Sequence, residues 1–249
     1  MFNPRSNGPF GRNNGMFGSS RYQYQQYGAT PYQGVQAGSL ISKVMGLLAF
    51  SFLFAFIGTY VGTLVVTSIG AFWIVALAGL AVLFILNFAI QKPGLNLFLL
   101  YLFTFLEGMA ISPIIRSYLQ TNSNILGEAF LITAITSLAL AVYAWTTKRD
   151  FSGLRDYLFF GVILLLVAGL IGIFFGGIFH TTLFGLIISI FGIAIFSGYV
   201  LYYVQRAKYM ADTMPNAIGL TVSLFITVLN LFLYILELLS ILQGGGRRR

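Results

Sequence analysis

The stretch LNLFLLYLFTFLEGMAISPII, residues 95–115, carries a single charged side chain, Glu107, among residues that are mostly apolar. A run of this length matches the roughly 20 residues that an α-helix needs to cross the hydrocarbon core of a bilayer. We therefore interpret it as a membrane-spanning helix. An ionisable side chain inside such a helix is costly, and it indicates a functional site.

The composition of the whole chain agrees with this interpretation. Of its 249 residues, 58% are hydrophobic and only 8% are charged, whereas a soluble domain carries about 25% charged residues. The apolar runs lack the alternating pattern of barrel strands, so helices are predicted. The fold class is therefore predicted to be an all-α integral membrane protein, with the lipid bilayer as its environment.

Seven apolar runs are predicted to form a transmembrane helix bundle, because turn residues or polar loops separate them. They are Leu40–Val66, Ala71–Ile90, Leu95–Leu119, Leu126–Trp145, Tyr157–Gly176, Thr182–Val204 and Asn216–Leu242. Two glycine pairs, Gly58-x-x-x-Gly62 and Gly172-x-x-x-Gly176, predict close helix contacts. Residues 40–242 would form one domain, between a Gly-, Asn- and Tyr-rich tail at 1–39 that is predicted to be disordered and a basic tail at 243–249.

The positions of Lys and Arg predict the orientation. With the N-terminus in the cytoplasm, most basic residues of the loops lie on the cytoplasmic side, as the positive-inside rule requires. Seven spans then place the C-terminus, with Arg247, Arg248 and Arg249, outside. A re-entrant last run would instead return the C-terminus to the cytoplasm.

The residue types exclude several classes of function. The chain has no Cys and one His, so no metal site and no cofactor are predicted. Motifs of hydrolases, phosphate-binding loops and intramembrane proteases are absent from the sequence, and we expect no enzyme activity. The net charge of +8 comes from membrane flanks and tails, so nucleic acid is not an expected partner.

Polar residues at membrane depth predict an ion pathway. Glu107 lies about 12 residues, or about 18 Å, into its span, and Thr227 and Asn230 lie at a similar depth in the seventh span. Tyr203 lies nearer the cytoplasm. One hypothesis is a protonatable or cation-attracting carboxyl in a hydrated passage, and the alternative is a neutral carboxyl hydrogen-bonded between helices.

Two further charged residues lie near the outer ends of their spans. Arg116 and Glu237 are each about 21 residues in, at similar depth, at 1.5 Å per residue. An ion pair between them would close the outer end of the bundle. The alternative is that each side chain snorkels separately to the headgroups.

Four segments together resemble the Bax inhibitor-1 (lifeguard) family, in particular its bacterial YccA-like branch. They are FTFLEGM at 103–109, YAWTTKRDFS at 143–152, FSGYVLY at 196–202 and LNLFL at 229–233. The resemblance covers residues 40–242. It implies a seven-helix bundle in which the last helix is central and surrounded by the other six.

The resemblance also implies what the chain does. Some members of the family are pH-sensitive calcium leaks that use two aspartates, and the matching positions here are Tyr203 and Thr227, neither of which is an acid. The implied function is a weak cation leak or a role in ion homeostasis, with Ca²⁺ or protons as the ions. The bacterial branch implies the alternative of a regulatory partner or substrate of a membrane-anchored AAA quality-control protease, in the plasma membrane.

Overall fold

The structure is a computed structural model that describes residues 33–174 and 182–245. Within these ranges it contains seven α-helices, each long and apolar enough to cross a membrane. They are α1 (Gln33–Val65), α2 (Ile69–Ala89), α3 (Leu95–Thr121), α4 (Ser123–Thr146), α5 (Leu154–Phe174), α6 (Thr182–Ala207) and α7 (Met214–Gly245). The predicted all-α, seven-helix membrane fold is confirmed.

The helix ends follow local turn chemistry. Ser68 caps α2, since its Oγ accepts a hydrogen bond of 3.2 Å from the backbone N–H of Ala71. Gly94 precedes α3 with a φ of 79°, in the left-handed region that glycine adopts without strain. These two residues explain why the chain turns sharply between the first three helices.

The terminal helices extend beyond the predicted spans. The first begins at Gln33, inside the segment predicted as a tail, and the last continues to Gly245. The rest of the predicted tails, at 1–32 and 246–249 and including the three terminal arginines, lies outside the described residues, as does Gly176 at the end of the predicted fifth span.

Glycines allow α1 and α3 to approach each other closely. A Cβ on Gly58 would collide with the carbonyl oxygen of Phe105, and a Cβ on Gly108 would collide with that of Ala55. The Oγ1 of Thr59 donates a hydrogen bond of 3.0 Å to the carbonyl oxygen of Gly108. The close contact predicted from Gly58 is therefore confirmed. A Cβ on Gly172, in contrast, would meet no atom of another described element within 4 Å.

The last helix is central, as the family resemblance implied. Its closest backbone contacts are with α1, α3, α4 and α6. The backbones of α2 and α5 lie against α3 and α6, and side chains of α2 and α5 reach α7 in two of the buried clusters. Its apolar span and that of α3 are each 39% buried, compared with 11% for α2. Residues of α7 also take part in every one of the four buried hydrophobic clusters, for example Ile218, Leu224, Phe225 and Leu231.

Two of these clusters fill the ends of the bundle around α7. The lower cluster lies at the end where α1 and α7 begin, and the upper cluster lies toward the opposite end. The lower cluster is Leu40, Val44, Ala144, Val200, Val204, Ala207, Ala217, Leu220 and Leu224. The upper cluster is Ile125, Ala129, Leu165, Phe196, Leu231, Ile235 and Leu236. The middle of α7 lies between them.

Candidate functional site

A cavity of about 380 Å³ lies beside the middle of α7, where that helix meets α5 and α6. Aliphatic side chains, including Leu165 and Leu166 of α5, line part of it. Its polar side chains come from α6 and α7. They are Tyr199, Tyr203, Ser223, Thr227, Asn230 and Tyr234.

The polar residues of α7 reach the cavity because of helical spacing. Positions 223, 227, 230 and 234 are separated by four, three and four residues, so they lie along one face of a helix. This pattern can be read from the sequence. The sequence does not reveal which helices this face meets.

Three polar side chains on this face donate hydrogen bonds within α7 itself. Ser223 Oγ donates to the carbonyl oxygen of Gly219 at 2.9 Å, and Thr227 Oγ1 donates to that of Ser223 at 2.7 Å. Asn230 Nδ2 donates to the carbonyl oxygen of Ile226 at 2.8 Å. The oxygen lone pairs of these three side chains therefore remain as acceptors, which suits a guest that is a cation.

An aromatic ladder forms the α6 side of the cavity. Tyr234 stacks on Phe196 with ring centroids 5.7 Å apart, Phe196 is 6.2 Å from Tyr199, and Tyr199 stacks on Tyr203 at 5.4 Å. Tyr202 continues the ladder, 5.2 Å from Tyr203. This side of the cavity is thus made of aromatic rings and phenol groups and carries no formal charge.

Three of the four residues predicted for the ion pathway meet here, and Glu107 does not. Tyr203, Thr227 and Asn230 all line the cavity. Glu107 lies instead at the interface of α3 with α2, where a Cβ on Gly79 would be 3.4 Å from its Oε1. Similar depth along two helices does not bring side chains together unless the helices also turn the right faces toward each other.

The predicted ion pair between Arg116 and Glu237 is not formed. The Arg116 guanidinium points to α1, where it lies 3.5 Å from the carbonyl oxygen of Thr63. The carboxylate of Glu237 lies beside Gly185 of α6, since a Cβ there would be 3.6 Å from its Oε1. The two charges therefore face different neighbours of their helices.

Sequence reasoning missed the role of Gln205, which is buried at the end of α6. Its Nε2 donates to the carbonyl oxygen of Arg149, and its Oε1 accepts a hydrogen bond of 2.5 Å from the N–H of Phe151. This one amide thus holds the connection between α4 and α5. A glutamine near the end of an otherwise apolar helix was the available signal.

The same connection is ordered by Asp150. Its carboxylate accepts from the backbone N–H and the hydroxyl of Ser152, each at 2.9 Å. The hydrogen bond from the Ser152 backbone, together with the one from its hydroxyl, lowers the pKa of Asp150 below its ordinary value. Asp150 and Ser152 therefore have a structural role in this connection.

Among the described residues, no three His, Cys, Asp or Glu side chains are grouped closely enough to hold a metal ion. The cavity is therefore a site of neutral oxygens and aromatic rings. Ser223, Thr227 and Asn230 would contact a guest ion from α7, and Tyr199, Tyr203 and Tyr234 would surround it.

Comparison with known proteins agrees with this architecture. A family model described as "Inhibitor of apoptosis-promoting Bax1" matches residues 37–244. The chain is 32% identical over 174 residues to a membrane protein of Vibrio cholerae, covering 69% of this chain and 75% of that one. It is also 30% identical to the Golgi anti-apoptotic protein of Vaccinia virus (65% of each chain) and 28% identical to protein lifeguard 4 of Mus musculus (66% of each chain).

The family match spans all seven helices, and the relatives at this level of identity cover about two thirds of the chain. The motif segments that suggested the resemblance lie in the described helices and in the connection that Gln205 holds. The chain is a multi-pass membrane protein that belongs to the Bax inhibitor-1 family.

Proposed function

We propose that this protein is a weak, passive cation leak whose ion-binding position is the cavity beside α7. The observation that carries the proposal is the set of oxygen acceptors on Ser223, Thr227 and Asn230, each of which donates one hydrogen bond within the helix. Polar side chains in a membrane helix that face a cavity typically mark an ion or substrate path. Such a leak requires no chemical step, so no catalytic residues are assigned.

The hydrophobic clusters at the two ends of α7 support a leak that is weak. The lower cluster packs α1, α4, α6 and α7 together below the cavity. The upper cluster packs α4, α5, α6 and α7 together from Leu165 and Phe196, which also line the cavity, toward the opposite end. Apolar constrictions hinder ions because water leaves them. An ion would therefore cross only when both clusters loosen, together or in turn.

The proposal is tested by ion flux into vesicles that contain the purified full chain. Thr227→Val removes an oxygen acceptor from the cavity without changing the side-chain volume much. Loss of about 1 kcal/mol of ion stabilisation would lower the flux about fivefold. Thr133→Val is the matched control, because Thr133 is equally buried and makes the same type of bond, to Ala129, but lies on α4 away from the cavity.

Glu107 remains a predicted member of the pathway, because it is about as deep in the membrane as Thr227. It lies on α3 beside Gly79. The variant Glu107→Gln keeps the shape and removes the acid. A large loss of flux would place the carboxyl in the pathway. Unchanged flux would restrict the pathway to the cavity beside α7.

We further propose that the protein lies in the bacterial plasma membrane with its N-terminus in the cytoplasm. The bacterial relative supports the choice of membrane. The distribution of basic residues supports the orientation. Because the chain has no cysteine, single-cysteine variants at Ser152 and Ser123 can be labelled with a membrane-impermeant maleimide in intact cells. Labelling only at Ser123 is expected, and labelling only at Ser152 would reverse the topology.

A second candidate function is regulation of a membrane-anchored AAA quality-control protease. It is favoured by the 36 residues that precede the family match, which are rich in Gly, Asn and Tyr and contain no acids. Crosslinking in native membranes, with the full chain and with a chain that lacks residues 1–32, tests it. Recovery of the protease with the full chain only is expected, and recovery with neither form would contradict this function.

A further inference from the structure

We infer that the cavity beside α7 selects weakly hydrated monovalent cations, of the size and charge of K⁺, over Ca²⁺. The inference rests on the proposed leak and names the class of ion that it passes. It follows from the chemistry of the groups that line the cavity.

The first argument is the charge of the lining. Of the described residues that line the cavity, none is Asp or Glu. The carboxyls of Glu107 and Glu237, which lie farthest from the start of their spans, are placed elsewhere, Glu107 beside Gly79 and Glu237 beside Gly185. An ion in the cavity would therefore meet no negative charge in direct contact.

The second argument is the cost of removing water from the ion. The idealised cost of moving a singly charged ion from water into a medium of low dielectric constant is about 20 kcal/mol, and it rises with the square of the charge. Proteins recover that cost for Ca²⁺ with six to eight oxygen ligands, often including carboxylates. Ser223, Thr227 and Asn230 provide three neutral oxygens and the tyrosines of the wall at most three more. No carboxylate is among these groups to offset the charge of a divalent ion.

The third argument is that neutral oxygens suit a monovalent ion. Potassium channels replace the hydration shell of K⁺ with uncharged carbonyl oxygens. The Asn230 amide oxygen accepts no hydrogen bond from the described residues and is the same kind of ligand.

The size of the cavity agrees with this class of ion. Its volume of about 380 Å³ holds an ion together with several waters, since one water occupies about 30 Å³ in the liquid. A monovalent ion can therefore exchange only part of its hydration shell for the oxygens of α7. The cavity therefore favours the passage of ions that lose part of their hydration shell readily.

The test compares two ions on one preparation. Vesicles containing the full-length protein are loaded with a thallium-sensitive dye, where Tl⁺ stands in for K⁺, or with a calcium-sensitive dye. We expect Tl⁺ flux at least tenfold faster than Ca²⁺ flux at equal concentration gradients, with Thr227→Val lowering the Tl⁺ flux and Thr133→Val leaving it unchanged. Ca²⁺ flux equal to or faster than Tl⁺ flux would overturn the inference while leaving the leak intact.

A second variant probes the same argument from the opposite direction. Thr227→Asp places a carboxylate in the cavity and is expected to raise the ratio of Ca²⁺ flux to Tl⁺ flux at least fivefold. An unchanged ratio in a folded Thr227→Asp protein would contradict the role assigned to the lining charge. Absence of flux for either ion in the wild-type protein would instead refute the leak itself, as expected if a lipid chain fills the cavity.

Discussion

Lys43 and Asp212, which are 169 positions apart in the chain, form an ion pair that joins α1 to the connection between α6 and α7. The Lys43 Nζ lies 2.9 Å and 3.0 Å from the two carboxylate oxygens of Asp212. The pair sits next to Leu40 and Val44 of the lower cluster. It therefore ties the beginning of the first span to the beginning of the last, at the lower end of the bundle.

The pair predicts a small and pH-dependent stabilisation. The two side chains are 43% and 18% exposed, so solvent screens their attraction, and a double-mutant cycle with Lys43→Gln and Asp212→Asn should give a coupling of about 0.5–1 kcal/mol. Equilibrium unfolding in mixed detergent micelles measures it. Lys92→Gln serves as a control in the same cycle, and coupling of Asp212 to Lys92 of equal size would contradict a specific pair.

The sign of the pH dependence follows from the pKa of Asp212. Partial burial raises that pKa, but hydrogen bonds from Ser39 and Lys43 and the charge of Lys43 outweigh it, so the net pKa is lowered. A carboxyl with a depressed pKa in the folded state stabilises the protein above its unfolded pKa of about 3.9. The stabilisation should be constant from neutral pH to about pH 5 and disappear as the pH falls through the folded pKa. In Asp212→Asn this part of the pH dependence should be missing.

The interface of α1 with α3 predicts a large effect of one methyl group. Gly108→Ala would push a Cβ into the carbonyl oxygen of Ala55, and overpacking of this kind costs about 1–3 kcal/mol of unfolding free energy. Gly46→Ala is the matched control, because Gly46 lies on α1 with no atom of the described residues within 4 Å of the added carbon. Unfolding in a denaturant series measures both, and equal stability of the two variants would refute the close approach.

The interface of α2 with α3 predicts a graded effect at Gly79. A Cβ there would be in ordinary contact with Glu107 Oε1 at 3.4 Å, so Gly79→Ala should change the unfolding free energy by less than about 1 kcal/mol. Gly79→Leu must displace the Glu107 side chain, and we expect it to cost about 1–3 kcal/mol. Thermal unfolding in detergent measures both. Equal tolerance of both side chains would place Glu107 away from this interface.

Because the buried Gln205 side chain holds the connection between α4 and α5, replacing it should open that connection. Gln205→Leu leaves the carbonyl of Arg149 and the N–H of Phe151 without their partner, which costs about 1–3 kcal/mol. Cleavage by trypsin after Lys148 or Arg149 in purified protein should therefore become at least tenfold faster. Gln120→Leu, at an exposed position of α3, should leave the cleavage rate unchanged. Equal cleavage rates in the two variants would contradict the role of the Gln205 hydrogen bonds in holding the connection.

The sequence alone was sufficient for the fold class because the bilayer leaves few choices. Each apolar run must satisfy its backbone polar groups internally, so runs such as residues 95–115 have to be helices. The breaks could also be read from the sequence, since Ser68 and Gly94 have turn chemistry of their own. The polar face at positions 223, 227, 230 and 234 follows from helical periodicity without any knowledge of the fold.

Only the tertiary structure decided which polar side chains meet. Depth along the membrane normal can be counted from the sequence, and it placed Glu107 level with Thr227 and Arg116 level with Glu237. The direction in which each side chain points around its helix, and the identity of the neighbouring helix there, depend on how all seven helices pack. That packing turns Glu107 toward Gly79 and Arg116 toward Thr63, while it brings Tyr203 to the face of α7 that carries Thr227 and Asn230.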